Sequence, residues 1–150
     1  MRRLLEEPDR HIPLDPDEFT VDVPTERKIL GEFGAAGNSV YLGAEVDGGI
    51  VGEINLKGRT RRGLRHAATL GMSVARDRRG QGVGDRLVGH AVEWARRSGV
   101  LSRIELEVYV VNEPAIRLYR KHGFEIEGRR RSIIRRGDAY EDDYVMALLL

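Results

Sequence analysis

Residues 78–87 read Arg-Arg-Gly-Gln-Gly-Val-Gly-Asp-Arg-Leu, three glycines in five positions. Glycine at that density costs about 1 kcal/mol per residue inside a helix or strand, so the segment has to turn. Before it, residues 67–74 alternate Leu70, Met72 and Val74 against Thr69, Gly71 and Ser73, the period of a strand. After it, Leu87, Val88, Ala91 and Ala95 recur at helical spacing up to Gly99. A strand, a glycine turn and a helix beginning near Gly82 make an anion site. The first-turn N–H groups have no partner within the helix, and the helix dipole favours negative charge there. Gly80, Gly82 and Gly84 carry no Cβ to hold a phosphate away, while Arg76, Arg78 and Arg79 add positive charge. The turn predicts a phosphate or pyrophosphate ligand, against the plainer alternative of a tight turn with none.

The spacing excludes two phosphate loops. No Gly-Lys-Ser/Thr follows, so the turn is not a Walker loop. The glycines are spaced two and two rather than Gly-x-Gly-x-x-Gly, which argues against a dinucleotide fingerprint.

The remaining chain supplies the frame. Residues 1–23 read as a loose or partly helical arm, and residues 24–150 as one mixed α/β domain without repeats or linkers. Pro24, early acid and a closing glycine predict a helix. Two alternating segments around Asp47-Gly48-Gly49 predict a hairpin. Residues 59–66 form a basic loop, and Ile104, Leu106, Val108 and Val110 mark a further strand. Asn112 caps a helix with Pro114 in its first turn, and Gly123 ends it with Phe124 poised for a hydrophobic contact. Residues 124–150 make two more strands. The predicted order is helix, three strands, helix, strand, helix, two strands.

Composition narrows the classes. The chain has 150 residues and no cysteine, which excludes disulfides, thiolate metal sites and an acyl-cysteine intermediate. Its opening has no apolar signal region and no run approaches a membrane span, so a soluble cytoplasmic protein without a membrane partner is expected. Residues 59–65 and 129–136 are basic. The net charge of +1 and the lack of interleaved aromatics argue against a nucleic-acid partner. No His, Asp or Glu spacing suggests a metal.

Two constellations together carry a resemblance. The pattern Arg/Gln-x-x-Gly-x-Gly/Ala is met by Arg79, Gly82 and Gly84. About 30 residues later, Asn112 precedes a helix with Ala115, Leu118 and Tyr119 that ends in Gly123-Phe124. Over residues 24–150 the chain resembles the GCN5-related N-acetyltransferase superfamily. The resemblance implies a mostly antiparallel sheet with helices on both faces, splayed between the family's fourth and fifth strands. The family's first strand is not evident in residues 1–23, so that edge is either trimmed or filled by a partner chain.

The resemblance also implies acetyl-coenzyme A as cosubstrate. Its pyrophosphate would lie on Arg79, Gly80, Gln81, Gly82, Val83 and Gly84, and its pantetheine arm along Met72, Ser73 and Val74. Asn112, Ala115 and Tyr119 complete the cofactor site, with Tyr119 as general acid toward the thiolate. The acceptor is implied to be a primary amine on a small molecule, amino acid or peptide N-terminus, and the assembly a homodimer. A non-catalytic acyl-CoA-binding module of the same fold is the alternative.

The chemistry asks for the same parts independently. An attacking amine has to lose a proton, since its pKa in water is near 10. The carbonyl oxygen that gains charge needs a fixed N–H, which a bulged strand edge at Gly71–Val74 could supply. A phenol can protonate the departing sulfur. With no cysteine, direct transfer with both substrates bound is the economical route. Glu53, mid-strand between apolar neighbours, is the candidate base; Glu45 competes, and both also read as solvated strand residues. His66 and His122 read as surface or capping residues. Asp138, Asp142 and Asp143 on the final hairpin are candidates for attracting a cationic amine.

Overall fold

The computed structural model describes His11, Leu14 and residues 17–150. Most of the arm expected over residues 1–23 lies outside the described residues. The elements are α1 (Val23–Ala35), β1 (Val40–Val46), β2 (Gly49–Gly58), β3 (Ala67–Val74), α2 (Val83–Arg97), β4 (Arg103–Tyr109), α3 (Glu113–Lys121), β5 (Glu125–Arg136) and β6 (Ala139–Leu149). This is the order the periodicity predicts. Local chemistry explains several boundaries. Asp22 caps α1 by accepting the Thr25 N–H at 2.9 Å. Asp47 and Gly48 both take positive φ (51° and 77°), the two-residue turn whose twist matches the hairpin it joins.

The six strands form one sheet in the order β1-β2-β3-β4-β6-β5. Leu87, Val88, Ala91, Val92 and Ala95 of α2 and Ile116 and Tyr119 of α3 pack on one face, against Ile54, Leu56, Leu70, Ile104, Leu106 and Met146. On the other face α1 covers β1, where Phe33 meets Tyr41 edge-on with ring centroids 5.6 Å apart. Helices therefore flank both faces.

One pairing decides where a ligand can go. β3 and β4 run parallel and pair only through Ala67–Thr69 against Arg103–Glu105. β3 nevertheless stays paired to β2 as far as Val74, and β4 to β6 as far as Tyr109. Beyond Thr69 the sheet opens into a wedge, leaving the β3 edge over Leu70–Val74 without a strand partner on that side. The β2–β3 register is unbroken along this stretch. That corrects the sequence expectation of a bulge at Gly71–Val74: the unpaired main chain comes from divergence of two strands.

Candidate active site

At the mouth of the wedge the chain leaves β3, makes a short 3₁₀ turn over Arg76–Arg78 and enters α2 through the glycines. Gly80 and Gly82 both adopt left-handed backbone, φ 72° and 81°, and among the described residues nothing beyond the adjoining chain lies within 4 Å of where a Cβ would sit on either. Gly82 is the N-cap of α2 and offers no side chain to the first turn, so those N–H groups remain directed outward. Gly84 differs from the expectation. A Cβ there would lie 3.2 Å from Leu118 Cδ2, so this glycine lets α2 approach α3 rather than clearing space for an anion. Arg79 braces the turn by donating from Nε to the Val74 carbonyl at 3.0 Å, and Gln81 donates from Nε2 to the Asp77 carbonyl at 2.8 Å.

α3 sets the opposite wall. Asn112 accepts the Ala115 N–H on Oδ1 at 3.3 Å, and Pro114 fills the first turn. The helix ends in a Schellman motif: Phe124 N–H reaches the Tyr119 carbonyl at 3.1 Å and Gly123 N–H the Arg120 carbonyl at 3.0 Å, with Gly123 at φ 88°. The accompanying hydrophobic contact is Tyr119 on Phe124, centroids 5.7 Å apart. The ring of Tyr119 is thus fixed by the way its own helix terminates. Its side chain is 6% exposed, and among the described residues its hydroxyl has no hydrogen-bond partner. Burial pushes the phenol up to about 12.

A third contact ties the two helices. Asp85, in the first turn of α2, accepts from Lys121 Nζ at 2.8 Å and lies 2.9 Å from His122 Nε2 at the end of α3. His122 is the C-cap residue of α3, in keeping with the capping role expected of it, and it also bridges to α2. Hydrogen bonds from Lys121 and His122 hold the Asp85 carboxyl below its usual range. A depressed folded-state value gives stability that is complete above the unfolded carboxylate value, about 4, and is lost as the pH falls through the folded one. Asp85→Asn is therefore expected to melt below wild type at pH 7, with the two curves converging as the pH falls below the unfolded carboxylate value of about 4. Parallel melting curves over that range would remove the ion link.

Between these walls lies one cleft of about 790 Å³. It is lined by Met72, Ser73, Val74, Arg79, Gly80, Gly82, Gly84, Asn112, Ala115, Tyr119 and Glu53, so nearly every sequence-predicted residue converges on it. Gln81 and Val83 do not line it. Val83 packs toward the core, where it would contact a Cβ at Gly52. The cleft also takes in Asn55, Asp85, Glu107, Tyr109 and Leu118, which sequence reasoning missed. Its dimensions, open main-chain edge and glycine mouth fit an extended molecule bearing an anionic end.

On the face opposite α2 and α3, Glu53 is bound by two hydroxyls. Tyr41 donates to Oε2, and Ser73 donates to Oε1 at 3.1 Å. Burial and the neighbouring Glu53 push the Tyr41 phenol above its ordinary value. Glu45 is exposed on β1 and outside the cleft. Glu107, on β4, faces the same space and accepts from Arg130 at 2.6 Å. Arg130 also grips Asp143 through Nε at 2.8 Å and a second bond from its terminal nitrogen. Of the three hairpin aspartates considered for an amine, Asp143 is consumed by Arg130, Asp142 by Arg129 and the Ser132 N–H, and Asp138 stands in solvent 4.0 Å from Arg135. Glu107 could have been suspected, since it alternates with Glu105 and Tyr109 on the outer face of β4. Nothing local distinguishes it from a solvated residue. Among the described residues no group of three His, Asp or Glu side chains could hold a metal, and no helix is long and apolar enough to cross a membrane.

Comparison with known proteins adds to this geometry. The acetyltransferase (GNAT) family model matches residues 6–124. The chain is 37% identical over 106 residues to the L-amino acid N-acetyltransferase AaaT of Escherichia coli (strain K12), a match covering 71% of this chain and 65% of that protein. It therefore spans just under two thirds of that relative. The crystal structure of a GNAT-family acetyltransferase from Streptococcus pneumoniae superposes with a TM-score of 0.94 at 31% identity, covering 99% of this chain and 88% of that one. yncA from Salmonella typhimurium, solved with its cofactor acetyl-CoA, superposes with a TM-score of 0.81 at 22% identity, a likeness of fold, over 89% of this chain and 76% of that one.

Proposed function

The chain belongs to the acetyltransferase (GNAT) family, and from that premise we propose that it moves an acetyl group from acetyl-coenzyme A to a primary amine by direct attack, with both substrates bound together. The observation that carries this reading is the single cleft in which the glycine turn, the open edge of β3 and Tyr119 meet. When bound, the cofactor supplies a thioester carbonyl and a thiolate to be discharged. The first-turn N–H groups of α2 and the left-handed Gly80 and Gly82 hold its diphosphate. The free main chain over Leu70–Val74 takes its amide-bearing arm and directs an N–H to the carbonyl oxygen. Asn112 fixes the start of α3, so that Ala115 and Tyr119 face the same space.

Tyr119 is the donor to the sulfur. With its phenol pushed up to about 12, it is protonated throughout the physiological range. An ordinary thiol has a pKa near 8.5, so full transfer from this phenol is uphill, and Tyr119 serves the departing sulfur through an O–H hydrogen bond that strengthens as negative charge builds there. Both oxygens of Glu53 are occupied by Tyr41 and Ser73, whereas Glu107 meets one guanidinium and keeps its side chain 57% exposed. Glu107 therefore takes the ammonium proton, and Glu53 is the alternative base. In Glu107→Gln turnover is expected to fall about tenfold or more with acetyl-CoA affinity unchanged, while Glu53→Gln keeps turnover near the wild-type value. The reverse pattern would return the role to Glu53.

The decisive experiment joins calorimetric titration of acetyl-CoA with free-thiol release over a panel of primary amines. Binding with amine-dependent release is expected. Binding without release from any amine would leave the non-catalytic acyl-CoA-binding module.

A further inference from the structure

On the face of the sheet opposite α2 and α3, a second pocket of about 400 Å³ lies between β3, β4 and the β5–β6 hairpin. His11, Leu70, Glu107 and Tyr109 line both this pocket and the cofactor cleft, so molecules in the two spaces would meet there. The chemistry of the pocket is divided. At one end Glu107 and Asp143 share the single guanidinium of Arg130, which leaves one carboxylate charge in excess among the described residues of that cluster. Arg136, over the Tyr109 ring at 5.8 Å, is offset by Glu141 at 4.0 Å. At the other end Ile133 and Ile134 form an aliphatic wall, with Ile133 50% exposed.

That wall is built by an irregularity in the hairpin. Pairing steps from Arg130 opposite Asp143 to Ile134 opposite Glu141, so three residues of β5 stand against Asp142 alone. Ser132 takes φ 52° within this bulge, and its N–H bonds to Asp142 Oδ1 at 2.7 Å. Arg129 Nε reaches the other carboxylate oxygen at 2.7 Å. The Asp142 carboxylate thus replaces the ladder bonds that the bulge removes, and Ile133 and Ile134 are held at the pocket instead of continuing the strand.

Resting on the acetyl-transfer reading above, we propose that this pocket is the acceptor site and selects a primary amine carried on an uncharged apolar chain, with the ammonium drawn to Glu107 and the chain seated against Ile133 and Ile134. The excess negative charge favours the cationic amine, and the exposed isoleucine gains from covering only if the attached chain is apolar.

The test compares kcat/KM for leucinamide and phenylalaninamide with that for glycinamide, serinamide and the α-amide of glutamate. Apolar chains are expected to exceed glycinamide by roughly 100-fold, mainly through KM. Ile133→Asp, at a half-exposed position that the fold tolerates, is expected to cut the leucinamide-to-glycinamide ratio about tenfold and leave the KM for acetyl-CoA unchanged; Ile133→Leu is expected to keep the ratio. Free leucine and a leucine-initiated peptide, assayed beside the amides, identify which source supplies the amine. A flat panel with normal acetyl-CoA binding, or an Ile133→Asp variant that keeps the wild-type ratio, overturns the acceptor assignment alone. Failure to bind acetyl-CoA overturns the acetyl-transfer reading and this one with it.

Discussion

Gly82→Val is expected to raise the dissociation constant for acetyl-CoA by roughly 100-fold or more, about 2.7 kcal/mol of lost binding. The residue sits at φ 81°, where an L side chain already costs on the order of 1–2 kcal/mol and a β-branched one costs more. Relieving that strain rotates the N-cap of α2 and turns away the N–H groups proposed to hold the diphosphate. If the strain is not relieved, two methyl groups stand in the open space that Gly82 keeps clear. Calorimetry reads the loss directly, and a variant that binds normally would refute the assignment of the turn. Gly84→Val is the contrasting control. Its Cβ meets Leu118, so a drop in melting temperature is expected alongside any change in affinity.

Tyr119→Phe is expected to lower kcat by roughly 100-fold while acetyl-CoA affinity stays within about twofold. The substitution suits this site because the ring is anchored to Phe124 and to the helix end, whereas the hydroxyl has no partner among the described residues. Phenylalanine keeps the ring's packing contacts and removes only the hydroxyl. Thermal stability is accordingly expected to be unchanged or slightly higher. A variant with wild-type turnover would remove Tyr119 from the chemistry and leave it as the hydrophobic partner in a helix stop.

The parts of the fold that were legible in the chain are those written in neighbouring residues. Asp47-Gly48 specified its hairpin, because two consecutive positive φ angles suit few other pairs. Asn112, Pro114 and Gly123-Phe124 marked both ends of α3, because the cap and the closing bonds span at most five positions and Pro114 has no N–H to leave unpaired in the first turn. What stayed hidden depends on strands meeting from distant segments. Gly84 reads like the other glycines until Leu118, from another helix, is seen against it. Asp85 looks like an ordinary first-turn acid until Lys121 and His122 arrive. Glu107, Arg130 and Asp143 lie on three strands and become one cluster only through the β4-β6-β5 order. The two extra residues opposite Asp142 likewise leave no mark in the alternation of β5, since a bulge there is set by pairing rather than by composition. The divergence of β3 and β4 was implied by the family resemblance, as a splay between the family's fourth and fifth strands, and not by the residues themselves. Both strands alternate cleanly, and nothing in their residues says where parallel pairing stops.

On the acetyl-transfer reading, that divergence would tie upkeep of the protein to its ligand. Within the sheet, two hairpin-like halves are joined edge to edge by three residue pairs, Ala67–Thr69 with Arg103–Glu105. A molecule occupying the wedge touches both halves, so the energy that holds it also holds them together. Cells that let their acetyl donor run low would then weaken the seam of this enzyme as well as starve it, and its lifetime would follow its supply.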